Sequence, residues 1–129
     1  MIIDNQLLDQ VSNQAKESER LRMNFNFHEA LDAKAQRLLN ALEVGTALPI
    51  HRHQHTAETY ILLRGHINVM FYNDKGEEIS RYELQSGIGN YGVHIPKGQW
   101  HTIEVLESSV IFEVKDGPYM PLGVKDVLA

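Results

Sequence analysis

The sequence predicts a mainly β protein: a small barrel or sandwich of short strands led by one α-helix. Three observations predict it. Alternating runs bounded by turn residues recur at close intervals between positions 36 and 115. Glycines at 45, 65, 76, 87, 89, 92 and 98 punctuate those runs, and helical spacing is confined to residues 4–19. At 129 residues the chain has the length of one ordinary domain. Residues 1–129 are therefore expected to form one unit, with the helix at 4–19, the barrel at 20–117 and a tail at 118–129.

Leu7, Leu8, Val11 and Ala15 recur at three- and four-residue spacing behind Asp4, which suits an N-cap. From Arg20 the period changes to two. Met23, Phe25 and Phe27 alternate with Arg22, Asn24, Asn26 and His28, a strand with unlike faces. Two arrangements of this strand stay open. Either its apolar face packs under the helix and Arg22, Asn26 and His28 line the lumen and meet substrate, or the apolar face fills the lumen and the polar face meets water. Residues 29–35 read as a connection or a helical turn. Strands are then predicted at 36–44, 47–54, 58–64, 66–72, 78–84, 91–95, 101–106 and 109–115, with Asn73-Asp74-Lys75-Gly76 as a hairpin turn. Pro118 and Pro121 end the pattern, and the tail is expected to pack on the outside of the barrel or on a partner subunit.

Composition narrows the chemistry. A hydrophobic fraction of 43% with 22% charged residues lies in the globular range. The formal charge is -5 and the lysines and arginines are scattered, which argues against a nucleic-acid partner. With no cysteine there is no disulfide, no thiolate nucleophile and no thiolate metal site. Any metal ligands must be nitrogen or oxygen. No apolar stretch approaches the roughly 18 residues of a spanning helix, and the N-terminus lacks a basic region followed by an apolar one. A cytoplasmic location without membrane association is the resulting expectation.

Six of the seven histidines lie between positions 51 and 101. Alternation along a strand places His51, His53 and His55 on one face, so two imidazoles can reach one ion. Glu58 follows on the next strand, and Pro96-Lys97-Gly98-Gln99-Trp100-His101 delivers another imidazole from a rigid turn. The order Gly45, His51, His53, Glu58, Gly65 resembles the first cupin motif in full, and Pro96-x-Gly98-x-x-His101 resembles the heart of the second. That second motif departs from the pattern at Asn90, where a glycine is usual, and at Val105, where an asparagine is usual. Both departures leave the ligand positions intact. The resemblance implies a double-stranded β-helix, or jelly-roll, with one metal held by His51, His53, Glu58 and His101, and a homodimer.

Nearly the whole chain also resembles the WbuC-type cupin metalloproteins, which are often encoded among surface-polysaccharide biosynthesis genes. The shared features are the N-terminal helix, Asn26-Phe27-His28-Glu29, Gln36-Arg37-Leu38-Leu39, His51-Arg52-His53 and Glu113-Val114-Lys115-x-Gly117-Pro118-Tyr119. This implies a metal-binding barrel serving sugar metabolism.

Three imidazoles and one carboxylate suit one divalent transition metal, Fe, Mn, Zn, Ni or Cu, rather than Mg or Ca. An octahedral ion would keep two open positions for a small-molecule ligand or dioxygen, whereas closed tetrahedral zinc would be structural. The leading reading is a metal-dependent enzyme acting on a small polar metabolite such as a sugar derivative, by isomerisation or oxygen-dependent oxidation. A ligand-binding or sensing module and a structural metal site are the alternatives. Tyr60, two residues after Glu58, points to the same interior as a hydrogen-bond or proton-transfer group, or serves packing alone. His55 is read as a rim or supporting residue and His94 as structural.

Overall fold

The computed structural model describes residues 1–128. Its first element is helix α1 (Asn5–Glu17), started by Asp4, whose Oδ1 accepts the Leu7 amide at 3.0 Å. Six strands follow: β1 (Arg22–Asn26), β2 (Ala35–Leu42), β3 (Glu58–Tyr72), β4 (Glu78–Gln85), β5 (Gly92–Ile95) and β6 (Trp100–Asp116). A 3-10 turn at Val124–Asp126 ends the chain's regular structure. The 4–19 helix and the turn at 73–76 lie where the sequence places them.

Two corrections to the expected strands matter for the site. Residues 58–64 and 66–72 form one strand rather than two, and so do 101–106 and 109–115. The reason lies at Gly65. Its φ is +104°, and a side chain there would collide with Ser109 and its backbone. The register of β3 against β6 shifts at 62–67, so the ladder kinks here while the chain runs on. The second correction is at 47–54, where there is no continuous strand. Only His51 is bridged, to His101 on one side and Val127 on the other.

The kink lets β3 and β6 serve two sheets at once. The first half of β3 pairs with the second half of β6, extended by β2 and β1 on one edge and β5 on the other. The second half of β3 pairs with the first half of β6, extended by β4 on one edge and by the His51 and Val127 bridges on the other. All pairings are antiparallel. This is a small cupin jelly-roll fold, mainly β with one helix.

Alternation then sorts the side chains. Leu42, Tyr60, Ile67, Val69, Phe71, Leu84, Ile95, Ile103, Val105 and Ile111 fill the space between the sheets. Leu7, Leu8, Val11 and Ala15 of α1 cover the outer face of the first sheet at Leu39, Ala41 and Val110, with Met23, Phe25 and Phe27 beside them. Of the two arrangements open for β1, the structure therefore has its apolar face under the helix.

Gly65→Ala should cost about 2–3 kcal/mol, the sum of a disfavoured φ and a backbone collision. Gly87 also has positive φ, at +90°, but a methyl group placed there would meet no other atom within 4 Å. Gly87→Ala should accordingly cost only about 1 kcal/mol, and urea unfolding of both variants checks the difference.

Candidate metal centre

His51, His53, Glu58 and His101 converge, each offering one ligand atom within 4.8 Å of the others. Each comes from a different local cause. His51 is fixed by its double bridge, donating its amide to His101 O at 3.0 Å and accepting the His101 amide at 2.9 Å. His53 O accepts the Gly98 amide at 2.8 Å, which ties the histidine run to the Pro96–Gly98 turn. Glu58 opens β3 and His101 lies near the start of β6, both almost fully buried.

The rings are set up as ligands. Nδ1 of His51 lies 2.9 Å from Pro49 O, and Nδ1 of His101 lies 2.9 Å from Gln99 O. A carbonyl can only accept, so each Nδ1 carries the proton and each Nε2 presents a lone pair to the centre. Glu58 Oε1 lies 2.9 Å from His101 Nε2 and 3.4 Å from His53 Nε2. It is nonetheless buried without a properly directed hydrogen bond. Close approach of lone-pair atoms that do not point at one another is the geometry of a shared centre, so the donor set fits a transition metal.

Electrostatics agree with this. Burial, with the charge of His101, lowers His51 to about 4, and burial lowers His53 as well. The imidazoles of His51 and His53 are thus held neutral, the form that binds a metal. Burial alone would raise Glu58, but His101, Lys115 and His53 outweigh it and hold the carboxyl at about 2.

Next to this cluster lies a second polar group that the sequence alone did not single out as a site. Glu113 and Lys115 stand opposite Tyr60 and Glu58 in the β3–β6 register. Glu113 is buried, accepts from Asn40 Nδ2 at 3.4 Å and lies 3.8 Å from Lys115 Nζ. Burial, and then the charge of Glu58, push its carboxyl up to about 7. A signal was present in the sequence: Glu113 alternates in phase with Ile111, and Asn40 with Leu38 and Leu42, so polar side chains stand on a face that is otherwise apolar.

Two hollows lie near the cluster, and only the first has one of its residues, His53, in the wall. A cleft of about 130 Å³ opens at His53 and His55, walled by tail residues 118–122. A larger hollow of about 310 Å³ is lined by Asn24, Asn26, His28, Gln36, Glu113 and Lys115 among others. Lys115 and Tyr119 line both.

Of the residues expected to meet substrate, Asn26 and His28 line the larger hollow. His28 Nδ1 lies 3.1 Å from the Arg37 amide and 3.2 Å from the Arg37 carbonyl, so the Arg37 backbone fixes the ring. Tyr60 is buried in the core, its hydroxyl 3.4 Å from His101 Nε2, and burial together with Glu58 and Glu113 raises it well above the usual phenol range. Arg22 is not brought together with them. It donates to Ala47 O at 3.1 Å and to Thr46 Oγ1 at 3.4 Å. His55 lies on the rim of the cleft, and His94 sits on the outer face against Thr59 Oγ1 at 3.0 Å.

The tail packs on the barrel of its own chain, against the ligand run. Arg52 donates its amide to Asp126 O at 3.0 Å and its Nη2 to Lys125 O at 3.1 Å, while Gln54 Nε2 reaches Asp126 Oδ1 at 2.6 Å. The Arg52 guanidinium also lies 4.4 Å from the centre of the Trp100 ring.

Among known proteins, residues 3–84 match the family described as "Domain of unknown function (DUF6016)". No curated protein matches. Solved structures share the fold. The capsular polysaccharide assembling protein CapF from Staphylococcus aureus is 22% identical with a TM-score of 0.65, over 81% of this chain and 28% of that one. The cupin domain of Cnp3 from Schizosaccharomyces pombe is 11% identical with a TM-score of 0.61, over 76% of this chain and 66% of that one. KdgF from Halomonas sp. is 13% identical with a TM-score of 0.60, over 77% and 82%. This chain therefore spans less than a third of the CapF chain.

The raised Glu113 carboxyl gives a pH signature in metal-free protein. The folded state holds this proton up to about pH 7, while an unfolded carboxyl releases it near its ordinary value of 4.5. The folded form binds more protons in that window, so this group's contribution to stability falls as pH rises through it. Glu113→Gln should gain stability relative to the parent between pH 4.5 and pH 7, and flatten outside it. Thermal melts in chelator across that range read the difference.

Proposed function

We propose that this chain, which belongs to the DUF6016 family, is a metal-dependent enzyme that binds one divalent transition metal through His51, His53, Glu58 and His101 and acts on a small polar metabolite. The observation that carries this reading is Glu58 Oε1, buried, close to two imidazole nitrogens and hydrogen-bonded to neither. Bound there, the ion would act as a Lewis acid toward a carbonyl or hydroxyl oxygen. The chain's own residues orient the ligand. His53 faces the cleft, and Asn26 and His28 line the hollow behind Lys115. Tyr60 holds its proton beside His101.

An enzyme is favoured over a structural metal because a cleft opens at His53 and a second hollow with polar side chains in its wall meets it at Lys115, space that an ion stapling the barrel would not need. The WbuC-type resemblance, and the fold shared with a capsular polysaccharide assembling protein, support a sugar derivative as the metabolite. The reaction is isomerisation or oxygen-dependent oxidation. A homodimer belongs to the same proposal: Ile61, Leu63, Tyr82 and Tyr91 leave apolar surface exposed on the outer face. Light scattering at the mass of one chain would reject it.

Elemental analysis tests the centre. His51→Ala and Glu58→Gln should lower metal content at least about tenfold, in line with loss of one ligand, while His94→Ala retains the parent value. Equal metal in all three would sink the assignment. Incubation of the Fe(II)-, Mn(II)- and Zn(II)-loaded protein with nucleotide sugars and keto sugars tests turnover; binding without any product would favour the ligand-binding module instead.

A further inference from the structure

Glu113, in the wall of the larger hollow, and Asn40, which donates to it, carry polar atoms that the protein leaves under-partnered. Asn40 Oδ1 is buried with no hydrogen-bond partner among the described residues. The Glu113 carboxylate is buried, yet its partners are distant: Asn40 Nδ2 at 3.4 Å and Lys115 Nζ at 3.8 Å. Burying a carboxylate and an amide oxygen on such long contacts costs free energy unless something else donates to them. A ligand hydroxyl is the simplest donor that fits the Glu113 carboxylate, and Asn24 and Asn26 line the same hollow with amides that can donate or accept.

Charge adds a second constraint. Glu58 counts as one negative charge, Glu113 as at most one and Lys115 as one positive, so a divalent ion at the cluster leaves the interior with a net positive charge whether or not Glu113 holds its proton. Lys115 is the cation in this balance that borders both hollows: its one ion-pair contact, to Glu113, is long at 3.8 Å, and its side chain is 18% exposed. Arg52 and Arg22 are already engaged, the first with Asp126 and the second with the 46–47 turn. An interior of low dielectric with uncompensated positive charge favours a ligand bearing one negative charge.

We propose that Glu113 and Lys115, with Asn40 supporting Glu113 from behind, form a subsite for a small hydroxylated monoanion, a polyhydroxy carboxylic acid in chemical class. Its carboxylate lies between the metal and Lys115, and its hydroxyls donate to Glu113. This inference rests on the metal reading above and extends it by naming the class of ligand.

The test uses the Co(II)-loaded full chain titrated with gluconate and, as the neutral counterpart, glucose, followed by visible absorption and calorimetry. Gluconate should perturb the cobalt bands and bind at least about tenfold tighter than glucose, the size of one charge-assisted hydrogen bond. Lys115→Met should cut gluconate affinity about tenfold at unchanged cobalt content, and Lys115→Arg should recover most of it. Glucose binding as well as gluconate, or Lys115→Met binding gluconate like the parent, would overturn the inference while leaving the metal centre standing. Failure of the parent to hold cobalt would overturn the metal reading and this inference with it.

Discussion

The continuous pairing of β3 with β6, kinked at Gly65, is the constraint on which the rest of the structure depends. Each strand spends one half in each sheet, so Glu58 at one end of β3 and His101 near one end of β6 belong to different sheets yet face the same interior. Without the kink the two strands would continue as a flat ribbon, and the carboxylate and the imidazole would point along one surface rather than toward one another. Ser109 shows how closely the bend is built. Its hydroxyl accepts the His66 amide at 2.9 Å and donates to Glu107 O at 2.7 Å, satisfying backbone groups that the register shift removes from the ladder.

The convergence of the four side chains was legible in the sequence where local order carries the information. His51-x-His53 and the Pro96–His101 turn are short, and Gly98, with φ of +78°, sets the angle at which His101 leaves that turn. Helix α1 was legible because four apolar residues and an N-cap suffice to specify it. The fusion of paired runs into β3 and β6 was not, since a glycine inside an alternating pattern reads as a break and only the partner strand shows that the ladder resumes. The 47–54 segment failed for a related reason. It alternates like a strand, but Pro49 cannot donate to a ladder, and only His51 finds partners on both sides.

The place of Glu113, Lys115 and Asn40 beside the cluster was not legible for a different reason: it depends on what stands opposite them. A Glu two residues from a Lys is the commonest of surface patterns. Only pairing with Tyr60 and Glu58 turns that pattern inward. The contrast with Arg22 is instructive. It lies on the polar face of β1 with Asn24 and Asn26, yet it is drawn to the 46–47 turn by carbonyl and hydroxyl acceptors, so sharing a strand face did not amount to sharing a site.

The tail makes the same point from the other end of the chain. Val127 completes the bridge on the outer side of His51, and Leu128 donates its amide to Ile50 O at 2.9 Å, so the ligand run has a neighbour on both flanks despite lying outside any strand. Asp126 draws Arg52 and Gln54, which alternate with the histidines, to the outside. Because side chains along an extended run take opposite sides in turn, holding Arg52 and Gln54 outward turns His51 and His53 inward. The barrel supplies Glu58 and His101 from paired strands, whereas the two remaining histidines of the cluster are oriented by what grips the residues between them.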